Sequence, residues 1–146
     1  MSAHPKPAPS PPDDARSFEP VLLAYAALWS EADRARRAAL LTQSLVGDAE
    51  ITGPGYHFKG HRAIADEVER FQRDEPGTRA VLASGVARAG GWARFAVAVV
   101  DPTGAVVAEG EDVVELGADG RIVRVLTFWG ALPPVPARWP PNLVAR

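Results

Sequence analysis

The chain has 146 residues, enough for one ordinary domain. Its 16 Lys and Arg and 18 Asp and Glu are interspersed and give a formal charge of -2, which excludes the basic stripe of a nucleic-acid binder. The absence of cysteine excludes disulfides, thiolate metal sites and cysteine nucleophiles.

The first 16 residues are rich in Pro, Ala and Ser and offer little to bury, so a disordered tail is expected there. They lack the apolar core of a signal peptide. No apolar run approaches the roughly 20 residues of a membrane span, so a cytoplasmic location is expected. Phe18, Val21, Leu22, Tyr25, Leu28 and Trp29 then recur at one face of a helix, with Ser17 read as its cap and Pro20 in its first turn. Asp33 is a good cap for a second helix that carries Ala38, Leu41 and Leu45 inward and ends near Gly47. Arg34, Arg36 and Arg37 read as its solvated face.

A short strand over 48–53 buries Ile51, and Gly53-Pro54-Gly55 breaks it. His57 falls in the loop beyond. A third helix over 61–73 has Ile64, Val68 and Phe71 as its apolar stripe, with Glu67, Arg70 and Arg73 facing water. After Pro76-Gly77 the period changes from 3.6 to 2. Segments 78–89, 92–100, 105–116 and 121–129 read as four strands of an antiparallel meander, joined at Gly90-Gly91, Asp101–Gly104 and Ala118–Gly120. Helices first and strands afterwards imply an α+β fold around one apolar hollow, a common small-molecule site. Residues 133–146, with five prolines, read as an extended tail that Trp139 pins to the surface. The domain itself spans 17–132.

The residues that carry chemistry are few. Asp112 shares a strand face with Val114 and Leu116, so its carboxyl is paired, protonated or functional. Arg94 is the partner that would keep it ionised. Either face of 92–100, Trp92/Arg94/Ala96/Ala98 or Ala93/Phe95/Val97/Val99, can be the inner one. His57 suits proton transfer near neutral pH, with a side-chain pKa of ~6.5 before perturbation. His57 and His61 have no third ligand nearby, and no metal site is expected.

Three stretches resemble the nuclear transport factor 2-like superfamily, SnoaL-like proteins among them. They are Tyr25–Asp33, Lys59–Ile64 and, most tellingly, Gly110–Trp129. The resemblance covers 18–132. It implies a cone in which three N-terminal helices pack on a curved antiparallel sheet around one pocket, and a homodimer through the outer sheet face. By its likeness to the ketosteroid isomerases it also places Tyr25 and Asp112 at an oxyanion site. The handling of a protonated carboxylic acid in an apolar site is well understood for that enzyme. The same likeness puts Gly53 where those enzymes carry their general base, which leaves His57 as the substitute. Trp29, Ile51, Phe71, Val114, Val125, Thr127 and Trp129 are the expected lining. A small apolar carbonyl compound is the expected ligand, with isomerase, cyclase or lyase chemistry and no organic cofactor. The alternative is a non-catalytic binding or dimerisation module. Epoxide hydrolysis would need an Asp-Arg-Asp set, and only one inward Asp is visible.

Overall fold

A computed structural model describes residue 5 and residues 12–145. The expected N-terminal tail therefore lies almost wholly outside the described residues. Helix α1 runs over Pro12–Leu28, earlier than the sequence suggested, so Ser17 is not its cap and Pro20 lies within it. Helix α2, Arg34–Ser44, begins where expected: Asp33 accepts from the Arg36 backbone N–H at 3.0 Å and satisfies an otherwise orphan donor. Its inward residues differ from the expectation. Leu41 is buried, but Ala38 is exposed and Leu45 already opens strand β1, Leu45–Gly53.

Arg37 corrects the reading of a wholly solvated arginine face. It is only 8 % exposed and reaches Glu69 at 3.3 Å and Gln72 at 3.5 Å on the third helix. Its long apolar stem packs while its guanidinium finds partners, as buried arginines require. Gln72 also donates to the carbonyls of Trp29 and Glu31, at 3.1 and 2.9 Å, and ties the α1–α2 turn to that helix.

The Gly53-Pro54-Gly55 break is the turn of a hairpin, and Gly55 takes the positive φ of +80° that the turn needs. The residues beyond it form a second strand rather than a loop, β2 over Tyr56–Lys59. Helix α3 follows over Gly60–Asp74 and buries Ile64 and Val68. His61 Nε2 bonds to the Leu45 carbonyl at 2.9 Å and fixes α3 against β1.

The strand region has one more break than expected. Segment 78–89 divides into β3, Arg79–Leu82, and β4, Ala87–Ala89, both paired with β5, Trp92–Val100. Strands β6, Val106–Leu116, and β7, Ile122–Trp129, complete the sheet. Its order is β2-β1-β7-β6-β5-β3. The sheet is mixed, not antiparallel throughout, because β1 runs parallel to β7. The fold is thus α+β with three helices on a curved mixed sheet, and α3 comes after two strands rather than before them all.

Register stacks the inward side chains in rows across the sheet. Ala93, Val114, Val125 and Ile51 form one row; Phe95, Asp112 and Thr127 form the next; Val97, Gly110 and Trp129 form a third. The first row packs into the core with Leu22, Leu28, Leu45 and Ile64. The C-terminal stretch ends in a 3-10 turn at Pro141–Leu143, and Trp139 is 48 % exposed rather than pinned. Among the described residues no helix is long and apolar enough to cross a membrane.

Candidate functional site

Most of the second and third rows, with Ile51 from the first, line the sheet side of a hollow of about 370 Å³. That volume falls in the range of small-molecule sites, ~300–1,000 Å³. Helix α1 supplies Tyr25, Ala26 and Trp29 to its wall, and α3 supplies Glu67, Arg70 and Phe71. The rings interlock edge to face: Trp29 stands 6.4 Å from Tyr25 and 6.2 Å from Phe71, centroid to centroid. The inner set of β5 is Phe95, Val97 and Val99, joined at the lining by Ala98.

Asp112 is 4 % exposed on the hollow's wall. Thr127, directly opposite on β7, donates from Oγ1 to Asp112 Oδ1 at 2.7 Å. Burial raises the Asp112 pKa from its ordinary 3.8 to about 6, against the opposing pull of the Thr127 bond. Arg94 is not its partner. It lies on the outer face, with Glu111 at 3.6 Å. Tyr25 is 5 % exposed, and burial first, then the Asp112 charge, push its phenol well above the ordinary range. The Trp29 side chain and Tyr56 also act on it, in opposite directions.

Trp29, Ile51, Phe71, Thr127 and Trp129 reach the lining. Val114 and Val125 are on the correct faces but one row too deep; both are fully buried in the core. His57 is not at the hollow. Alternation along β2 turns Tyr56 and Phe58 inward and His57 and Lys59 outward, where both lie near Glu50, at 3.6 and 3.8 Å. A histidine on the opposite face of its strand cannot reach a ligand in the hollow, so the expectation of His57 as base fails on geometry.

Several lining residues were not foreseen. Glu67 and Arg70, expected to face water, meet at the hollow, with both Glu67 carboxylate oxygens accepting from Arg70. Tyr56 and Phe58 stack at 5.6 Å. Trp129 Nε1 donates to Tyr56 Oη at 3.0 Å. Two glycines make room for this pair. A Cβ at Gly53 would stand 2.1 Å from Tyr56 Cζ, and one at Gly110 would stand 2.9 Å from Trp129 Cε3. The space expected for a residue-53 side chain is therefore filled by the hydroxyl end of Tyr56. Among the described residues no group of three metal-ligating side chains comes together.

This arrangement of helices, mixed sheet and row order is the nuclear transport factor 2-like fold. No protein-family model matches the chain, and no curated protein matches it. Solved structures do. A candidate isomerase of the SnoaL-like family from Agrobacterium tumefaciens is 32% identical, with 80% of this chain and 99% of that one covered and a TM-score of 0.73. A nuclear transport factor 2-like protein of unknown function from Exiguobacterium is 22% identical over 77% of this chain and 99% of that one, TM-score 0.59. A candidate polyketide cyclase from Sinorhizobium meliloti is 18% identical over 73% and 92%, TM-score 0.59. The last two share the fold alone; the first shares sequence as well. The chain belongs to the SnoaL-like family.

Proposed function

We propose that the hollow binds a small apolar molecule through one carbonyl- or enol-type oxygen, and that Asp112 and Tyr25 are the two donors to it. The observation that carries this reading is Asp112: a buried carboxyl on the sheet wall of the hollow, bonded by Thr127 and not by a cation. With Oδ1 accepting from Thr127, a proton on Oδ2 can be donated inward. The Tyr25 hydroxyl is held protonated by its burial. Two O–H groups aimed at one oxygen polarise a carbonyl and favour the charge of an enol or enolate as it develops. That chemistry serves isomerases, cyclases and lyases. The named neighbours, a candidate isomerase and a candidate polyketide cyclase, are consistent with it.

The second reading is a non-catalytic pocket. It is favoured by the outward turn of His57 and by the glycine at position 53, which together leave no foreseen base at the hollow. The two readings share the ligand site. A second copy packed on the outer sheet face, where Val107, Phe128 and Trp92 stay exposed, belongs to both. Light scattering tests that part: a dimer is expected at micromolar concentration, and a monomer contradicts it.

The ligand site is tested by calorimetric titration with a substituted phenol. Below about pH 6, where Asp112 keeps its proton, wild type and Asp112→Asn, which keeps a donor, should bind it with similar affinity. Asp112→Leu should lose affinity by roughly 1–3 kcal/mol. Equal affinity for all three overturns the reading.

A further inference from the structure

We infer that Tyr56 is a third ligand-directed donor, and that the hollow accepts an apolar molecule with two separate oxygen functions, a diketone or hydroxy ketone. The inference rests on the Tyr25–Asp112 site just described and names the substrate class of that site.

Tyr56 is held from three sides. Its ring stacks on Phe58 at 24° and 5.6 Å. It occupies the room left by Gly53, where a Cβ would come 2.2 Å from Oη. Its oxygen accepts from Trp129 Nε1 at 3.0 Å. Trp129 is placed in turn by Gly110, its cross-strand partner. A phenol has one hydrogen to donate. Trp129 N–H is a donor only, so it occupies an acceptor lone pair of Tyr56 and leaves that hydrogen unused. Among the described residues no side chain or backbone group takes it; Tyr56 is partly exposed and its ring lines the hollow, so the hydrogen goes to solvent or to a ligand that displaces it. A hydroxyl positioned by its neighbours at the wall of a largely apolar hollow, with its hydrogen open to exchange, is a recognition group.

Tyr56 does not duplicate Tyr25. It enters from β2, at the edge of the sheet, while Tyr25 enters from α1 and Asp112 from the sheet's interior. Both phenols nevertheless line the one hollow. Two donors meet at one oxygen and a third approaches from another wall. A ligand with a single oxygen satisfies only the first pair.

The test uses the full chain and two kinds of probe on one skeleton: hexanophenone, with one oxygen, and a set of its diketone analogues in which the second carbonyl is moved along the chain. At least one diketone should bind wild type tighter than hexanophenone by roughly 3- to 10-fold, the scale of one neutral hydrogen bond. Tyr56→Phe, which keeps the ring, should erase that preference, read as the ratio of the two affinities within each variant. The inference is overturned if no diketone is preferred, if the preference survives in Tyr56→Phe, or if both probes weaken equally there, since a mere lid would act on both. Asp112→Leu separates the two readings. If it leaves hexanophenone binding unchanged, the Tyr25–Asp112 site fails, while the Tyr56 effect is still read from the difference between the probes. Failure of wild type to bind either kind overturns both.

Discussion

Thr127 stands directly opposite Asp112 across the β6–β7 ladder and gives its hydroxyl hydrogen to Asp112 Oδ1 at 2.7 Å. The bond stabilises the carboxylate, while burial opposes it more strongly, and the net effect is the raised pKa of about 6. Thr127→Val removes that opposing influence and keeps the shape. The Asp112 pKa should then rise above its wild-type value in a carbon-detected titration. A fall would show that the Thr127 bond favours the neutral acid rather than the carboxylate.

The same group makes stability depend on pH. Its folded pKa of about 6 exceeds the ordinary 3.8, so between those values the folded chain holds a proton that the unfolded chain has released. Asp112 therefore favours the fold most below about pH 4, and that advantage is lost as pH rises through about 6. The full span is at most about 3 kcal/mol. Denaturant melts of wild type and Asp112→Asn from pH 4 to 7 isolate it, because other carboxylates cancel in the difference. Wild type should lose stability relative to the variant as pH rises; the opposite slope would contradict the assignment.

Tyr25 and Asp112 should act on one ligand atom, and a double-mutant cycle reads this directly. Tyr25→Phe and Asp112→Leu should each weaken phenol binding by roughly 1–3 kcal/mol, with the double variant losing less than the sum. Additive losses would mean that the two groups serve different atoms.

Gly53→Ala should disturb the site without touching the ligand pair. Its Cβ would meet the Tyr56 ring at 2.1 Å, so the ring has to shift and the 3.0 Å bond from Trp129 is disturbed. Overpacking of this kind costs about 1–3 kcal/mol. The expected outcome is lower stability in urea melts and an altered Trp129 emission, read against a Trp129→Phe control. An unchanged spectrum would show that the ring is not seated over Gly53.

Arg37 and Arg34 make a matched pair on α2. Arg37 is buried against Glu69 and Gln72, whereas Arg34 bonds the same Glu69 from an exposed position. Arg37→Ala should destabilise by about 2 kcal/mol through lost packing and stranded partners. Arg34→Ala should stay within about 0.5 kcal/mol, as exposed ion pairs do. Equal effects in urea melts would contradict this difference in burial.

The sequence made some of this legible and hid the rest for physical reasons. The change of period after Pro76-Gly77 revealed the division into helices and strands, because periodicity is a local property. The parallel β1–β7 pair was hidden, because residues 45–53 and 122–129 meet only through long-range pairing. Asp112 was visible as a carboxyl on an apolar strand face. The inner face of β5 was not, since both of its faces are largely apolar and only the pairing of Phe95 with Asp112 decides between them. Alternation placed Val114 and Val125 on the inward side but carries no depth, and they lie one row below the hollow. Glu67, Arg70 and Arg37 were read as solvated from their charge, which says nothing of where a helix face meets a neighbour. Tyr56 was passed over because it follows a Gly-Pro-Gly break, and only a four-residue strand returns it to the sheet.

The account depends above all on a carboxyl at the wall of the hollow that keeps its proton up to about pH 6. Direct titration of the Asp112 carboxyl by carbon-detected NMR, with Asp112→Asn to assign the resonance, measures that. The account predicts an apparent pKa of about 6, above the ordinary 3.8, so that Asp112 holds its proton below that pH and ligand affinity rises as pH falls through it. A value at or below 3.8 would mean an ionised Asp112 that cannot donate to a ligand oxygen, and would contradict it.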